Sequence, residues 1–108
     1  MKKVTMGKKI IFSAIIALST SATLAQDSDK TIFDENCGIC HGPGELGTDI
    51  LSLRLGPERS VLAERDDLNA AYIKVVVRNG LVAMPPISRG DVSDPELDAI
   101  INYLTRSK

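Results

Sequence analysis

Apolar positions along the chain fall into one early block and three later stretches of helical period. The block runs from Ile10 to Leu18 without a charge; Lys2, Lys3, Lys8 and Lys9 precede it, and Ser19, Thr20, Ser21 and Thr23 follow. A basic n-region, a short apolar core and small residues ending at Ala25 form the layout of a secretory signal and predict cleavage after Ala25. The core is far shorter than the roughly 20 predominantly apolar residues of a spanning helix, so no stable membrane span is expected. Retention as an uncleaved anchor is the minor alternative. The expected organisation is a signal over residues 1–25 and one domain over 26–108.

Within that domain no segment alternates strictly between apolar and polar, which points to an all-α class. The first stretch predicts a helix from about Lys30 to Cys40, capped by Asp29 or Thr31, with Ile32, Phe33, Asn36, Cys37 and Cys40 on one face. The second predicts a helix from about Leu68 to Asn79, with Leu68, Tyr72, Val75 and Val76 as its apolar stripe and Gly80 as a left-handed stop. Val75-Val76-Val77 alone would suit a strand, but the period and Gly80 favour a helix. The third carries Ser93 and Glu96 as a capping box with Pro95 in the first turn, then Leu97, Ile100, Ile101 and Leu104 as a stripe. Gly42 to Asp67 reads as a long loop with a short helical turn around Ser60–Glu64. Leu81 to Val92 is a second loop, kept out of helix by Met84-Pro85-Pro86.

Composition changes this picture in two ways. The 108-residue chain has a formal charge of −1, but all 14 acidic residues lie beyond the signal. The exported part is therefore acidic, a poor partner for nucleic acid or anionic membrane. Its only aromatics are Phe33, Tyr72 and Tyr103. A domain this small with so little core needs a staple, and with Cys37 and Cys40 as its only cysteines that staple is not a disulfide network.

Cys37-Gly38-Ile39-Cys40-His41 offers one. Two thiols at this spacing can each add to a vinyl group on one edge of a haem, and the following histidine then faces the iron; C-x-x-C-H is the attachment signature of c-type haem. Three other readings use the same residues. A thioredoxin-like pair wants a βαβ scaffold that this chain lacks. A structural zinc site needs a fourth ligand, which an acidic residue would have to supply. A Cys37–Cys40 disulfide closes too small a loop to stabilise much. With the signal removed, Met84 is the only methionine, in a loop stiffened by two prolines, and becomes the candidate sixth ligand. His/Met ligation raises the potential and suits an electron carrier. An open sixth site would instead mark a haem enzyme or sensor.

Phe33 four residues before Cys37, the C-G-I-C-H motif, Met84-Pro85 and the last helix with Tyr103 resemble class I cytochrome c over nearly all of residues 30–106. The resemblance implies one covalent haem c, crossing N- and C-terminal helices, and Phe33 packed against Leu97, Ile100, Ile101 or Tyr103. Ala71 to Pro85 is similar to the small cytochrome subunits and electron acceptors of bacterial flavin dehydrogenases, the p-cresol methylhydroxylase type. This implies a periplasmic carrier, not an enzyme, that takes electrons from a flavin dehydrogenase and passes them to a downstream redox protein or oxidase. A permanent subunit of a flavocytochrome complex is the alternative. One departure stands out: Gly47-Thr48 occupies roughly the place where the family has a Gly-Pro whose carbonyl orients the axial histidine.

Further candidates follow. Arg54, Arg78 and Asn79 are potential donors to haem propionates, and Tyr72 is a weaker pocket candidate expected in the core. Leu51, Leu53, Leu55, Leu68, Val75, Leu81 and Ile87 are expected in the pocket wall. Ile39, Leu81, Val82 and Pro86 are among those expected at its rim.

Overall fold

The computed structural model describes residue 7 and residues 20–106. The basic and apolar parts of the expected signal, Lys2 to Leu18, lie outside the described residues apart from Gly7. Five α-helices follow in order: α1 Thr20–Asn36, α2 Gly38–His41, α3 Leu46–Leu55, α4 Ala70–Asn79 and α5 Asp94–Thr105, with 3-10 turns at Pro57–Arg59 and Leu62–Glu64. No helix among the described residues is long and apolar enough to cross a membrane.

α5 forms as its sequence dictates. The Ser93 N–H donates to Glu96 Oε2 at 2.7 Å and the Glu96 N–H donates to Ser93 Oγ at 3.4 Å, closing the capping box. Its stripe is the centre of the core: Leu97 is fully buried, and Ile100, Ile101 and Leu104 are nearly so. α1 packs across α5 in the most extensive helix contact. Phe33 of α1 meets Tyr103 with ring centroids 5.1 Å apart, tilted by 41°, a separation at which edge-to-face and offset aromatic pairs attract.

α1 starts earlier than the sequence pattern suggested. No Gly or Pro interrupts residues 20–30, so Asp29 and Thr31 lie inside the helix rather than capping it. The Thr31 hydroxyl donates to the Asp27 carbonyl one turn back, at 2.9 Å. The single helix expected to reach Cys40 breaks at Cys37, whose N–H still bonds the Phe33 carbonyl at 2.8 Å before α2 begins.

The loop expected over Gly42–Asp67 contains α3, and the short turn within it falls at Leu62–Glu64. α3 lies tight against the cysteine motif. A Cβ on Gly47 would come within 2.5 Å of the Cys40 carbonyl oxygen, so only glycine fits there. Buried Thr48 donates its hydroxyl to the Gly42 carbonyl at 2.7 Å. α4 is capped by Asn69, whose side chain accepts from the Tyr72 N–H at 3.1 Å. Its buried residues are Ile73 and Val77, facing α5. Tyr72 and Val75, expected on the inner stripe, are 56% and 58% exposed.

Candidate cofactor site

The end of α1 and α2 bring Asn36, Cys37, Ile39, Cys40 and His41 to one side of a cleft. The other walls are Val77 of α4, Leu97 and Ile100 of α5, and Met84, Pro85, Ile87 and Val92 from the intervening loop. The cleft between these walls has a volume of about 130 Å³. Its lining is largely apolar.

Local structure fixes each side chain. Cys37 sits between two helices, with the α2 amides of Cys40 and His41 donating back to its carbonyl at 3.1 and 2.9 Å. This turn puts both thiols and the imidazole on one short stretch of backbone. The thiols are not joined in a disulfide. Burial pushes the Cys37 thiol up to about 11, and the neighbouring Cys40 adds to the rise, so Cys37 is protonated at neutral pH. Burial also holds the His41 imidazole below its usual value. It is neutral at pH 7, with a lone pair free for a metal. Its Nδ1 is buried without a hydrogen-bond partner.

Met84 is presented by a tight turn. The Leu81 N–H donates to the Met84 carbonyl and the Met84 N–H to the Leu81 carbonyl, both at 2.9 Å. Val82 at the turn has φ +54°, a strained value for a β-branched residue. Gly80 ends α4 directly beneath this turn. A Cβ on Gly80 would lie 2.7 Å from the Met84 carbonyl oxygen and 2.9 Å from the Pro86 nitrogen.

Residues 25–104 match the family described as cytochrome c oxidase, cbb3-type, subunit III. The chain belongs to this family of c-type cytochromes. It is 34% identical over 100 residues to the cytochrome c subunit of the hydroxylating 4-cresol dehydrogenase of Pseudomonas putida, a match covering 92% of this chain and 78% of that relative. No solved structure matches. Membership of the family implies haem c as the cytochrome's cofactor.

The cytochrome's cleft brings together Cys37, Cys40, His41 and Met84, together with Ile87 from the expected wall. The weaker candidates sit elsewhere. Arg54 and Tyr72 are exposed, and the Asn79 amide turns back to the Val75 carbonyl of its own helix at 2.9 Å. Arg78 is committed to the Ile87 and Val92 carbonyls and to Asp94. Leu53 is 90% exposed and Leu81 43%, and neither lines the cleft; nor do Leu51, Leu55, Leu68 or Val75. Val77, Val92, Leu97 and Ile100 take those places. Leu97 and Ile100 were legible as core, but the pattern did not show that the same side chains also wall the cleft. Ile39 and Val82, each 77% exposed, leave apolar surface near the cleft mouth and on the methionine turn, respectively.

The zinc alternative loses its support in this geometry. Among the described residues, no three His, Cys, Asp or Glu side chains converge as a metal cage. The thioredoxin alternative has no scaffold, since the described elements are helices and turns with a single isolated β-bridge.

Proposed function

We propose that this cytochrome is an exported electron carrier holding one covalent haem c through Cys37 and Cys40, with His41 and Met84 as the axial iron ligands. The observation that carries the reading is the convergence of Met84 with Cys37, Cys40 and His41, far apart in sequence, on one apolar cleft. The donor set fits the group. A neutral buried imidazole with an unpartnered nitrogen and a thioether on stiff backbone are both ligands for haem iron. On attachment each thiol would add its S–H across a vinyl double bond, sulfur to one carbon and hydrogen to the other, with no oxidant required.

The haem supplies a one-electron ferric/ferrous couple. The chain's own residues provide an apolar wall of Val77, Ile87, Val92, Leu97 and Ile100, and two candidate ligands held on short hydrogen-bonded turns. If His41 and Met84 both held the iron, no position would be left for peroxide or oxygen, which would suit a carrier rather than an enzyme. Signal cleavage after Ala25 would place it in the periplasm. The likeness to a dehydrogenase's cytochrome subunit supports a flavin dehydrogenase as electron donor, with a downstream redox protein or oxidase as acceptor.

The test is expression with export and haem-maturation machinery. The holoprotein should keep its haem through denaturing electrophoresis, and Cys37→Ser with Cys40→Ser should abolish that. Ferric protein should show the weak red-edge absorption band of thioether-ligated haem, and Met84→Ala should lose it and bind CO when reduced. A protein that folds without covalent haem, or a Met84→Ala variant with an unchanged spectrum, refutes the reading. Gel filtration of a native periplasmic extract separates the free carrier from the permanent subunit, which would co-elute with a flavoprotein.

A further inference from the structure

Arg78 projects from the last turn of α4, and its side chain is 13% exposed. Its Nη1 donates to the Ile87 carbonyl at 3.1 Å and to the Val92 carbonyl at 2.9 Å; its Nη2 donates to Asp94 Oδ1 at 2.8 Å. Ile87 and Val92 are the two residues of the methionine loop, beyond Pro85, whose side chains line the cleft. Asp94 is the first residue of α5, which supplies Leu97 and Ile100 to the same cleft. One guanidinium therefore ties α4, the methionine loop and the start of α5 at the back of the pocket. The Ile87 N–H reinforces the tie by donating to the Val77 carbonyl at 2.8 Å, and Arg89 Nε holds the other Asp94 oxygen at 2.8 Å.

The chemistry of this bolt is specific. A planar guanidinium can send parallel and diverging N–H bonds to several fixed acceptors, which an ammonium on a flexible stem does poorly. Two of its acceptors are backbone carbonyls of an irregular loop that has no helix or sheet to satisfy them. Removing the guanidinium leaves both carbonyls without this donor and releases the loop at two points three to eight residues beyond Met84. The proline-stiffened backbone between Met84 and Ile87 passes a shift at Ile87 back to the methionine.

We infer that Arg78 is a positioning residue for the sixth iron ligand: it fixes the loop that presents Met84, and so sets how readily the thioether leaves the iron. The inference rests on the proposal that Met84 is that ligand. It replaces the expectation that Arg78 serves a haem propionate.

The experiment uses the ferric holoprotein as wild type, Arg78→Met, Arg78→Lys and Asp94→Asn, with imidazole as competitor for the methionine position. A lost charge-assisted hydrogen bond is commonly worth about a tenfold change in an equilibrium. Arg78→Met should thus bind imidazole at least about tenfold more tightly, with Arg78→Lys and Asp94→Asn between it and wild type. In denaturant, the red-edge band of Arg78→Met should disappear well before helix is lost, whereas in wild type the two should be closer. Hydrogen exchange at the Ile87 amide should quicken, which reads the loop directly. A purely structural role would move the loss of the band and the loss of helix together and leave imidazole affinity unchanged; that result overturns the inference. If Arg78→Met does not accumulate, Asp94→Asn and Arg78→Lys carry the same comparison. A wild-type ferric spectrum without the methionine band would instead sink the ligand assignment itself.

Discussion

Replacing Gly80 by alanine tests how the methionine turn is held. Gly80 has φ +77° and ψ 168°, a region occupied essentially only by glycine, where a side chain costs about 1–3 kcal/mol. The added Cβ would stand 2.7 Å from the Met84 carbonyl oxygen, 2.9 Å from the Pro86 nitrogen and 3.1 Å from the Pro85 carbonyl carbon. All three are backbone atoms in a segment stiffened by two prolines, so no side chain can rotate away. Overpacking of this kind costs about 1–3 kcal/mol. The alanine also restricts the unfolded chain, which offsets about 0.4–1 kcal/mol. The net expectation is a loss of about 1–5 kcal/mol, with Met84 displaced from its seat. Denaturant unfolding of the holoprotein, followed by circular dichroism and by the red-edge band, measures both effects. Gly90→Ala is the control, because a Cβ there meets only the Ser88 hydroxyl at 3.4 Å, and its change should stay within about 0.5 kcal/mol. A Gly80→Ala protein as stable as wild type, with its methionine band intact, would refute the argument.

Leu97→Ala removes a fully buried side chain that serves both the α1–α5 crossing and the cleft wall. It should cost about 3 kcal/mol in thermal or denaturant unfolding; a loss below about 1 kcal/mol would mean the crossing does not depend on it. Ser93→Ala removes the α5 cap and should cost about 1 kcal/mol. The same cap controls acid stability. Glu96 is held below the usual carboxylate range by the Ser93 hydroxyl and N–H, and Asp94 by Arg89 and Arg78. The unfolded chain therefore binds more protons in acid. This stability is full above the ordinary carboxylate values and is lost as pH falls through the depressed folded ones. Unfolding titrations below about pH 5 should show that decline, and Ser93→Ala should show a shallower one.

What was legible in the sequence divides along physical lines. α5 was readable because its start is a local hydrogen-bonded motif and its stripe has one face. α4 was readable as a helix, but not in its orientation. Val75, Val76 and Val77 put apolar side chains on several faces, and α5 selects Ile73 and Val77 by packing against them. α3 was missed because its leucines point outward as well as inward, with Leu46 70% and Leu53 90% exposed, so no period stands out. The cysteine motif and Met84 were legible because scarcity left few other candidates. Arg78's partners were not. Two of its three acceptors are backbone carbonyls, which leave no trace in residue identity.

The turn and bolt around Met84 bear on assembly. The bonds that shape this segment are local: Leu81 with Met84, Ile87 with Val77, and Arg78 with Asp94 only 16 positions away. None of them calls on α1 or on either cysteine. Closure over such short separations carries little loop entropy. The methionine arm is thus a self-closing cassette: its shape is set by bonds within residues 77–94, apart from the stretch that carries the two cysteines.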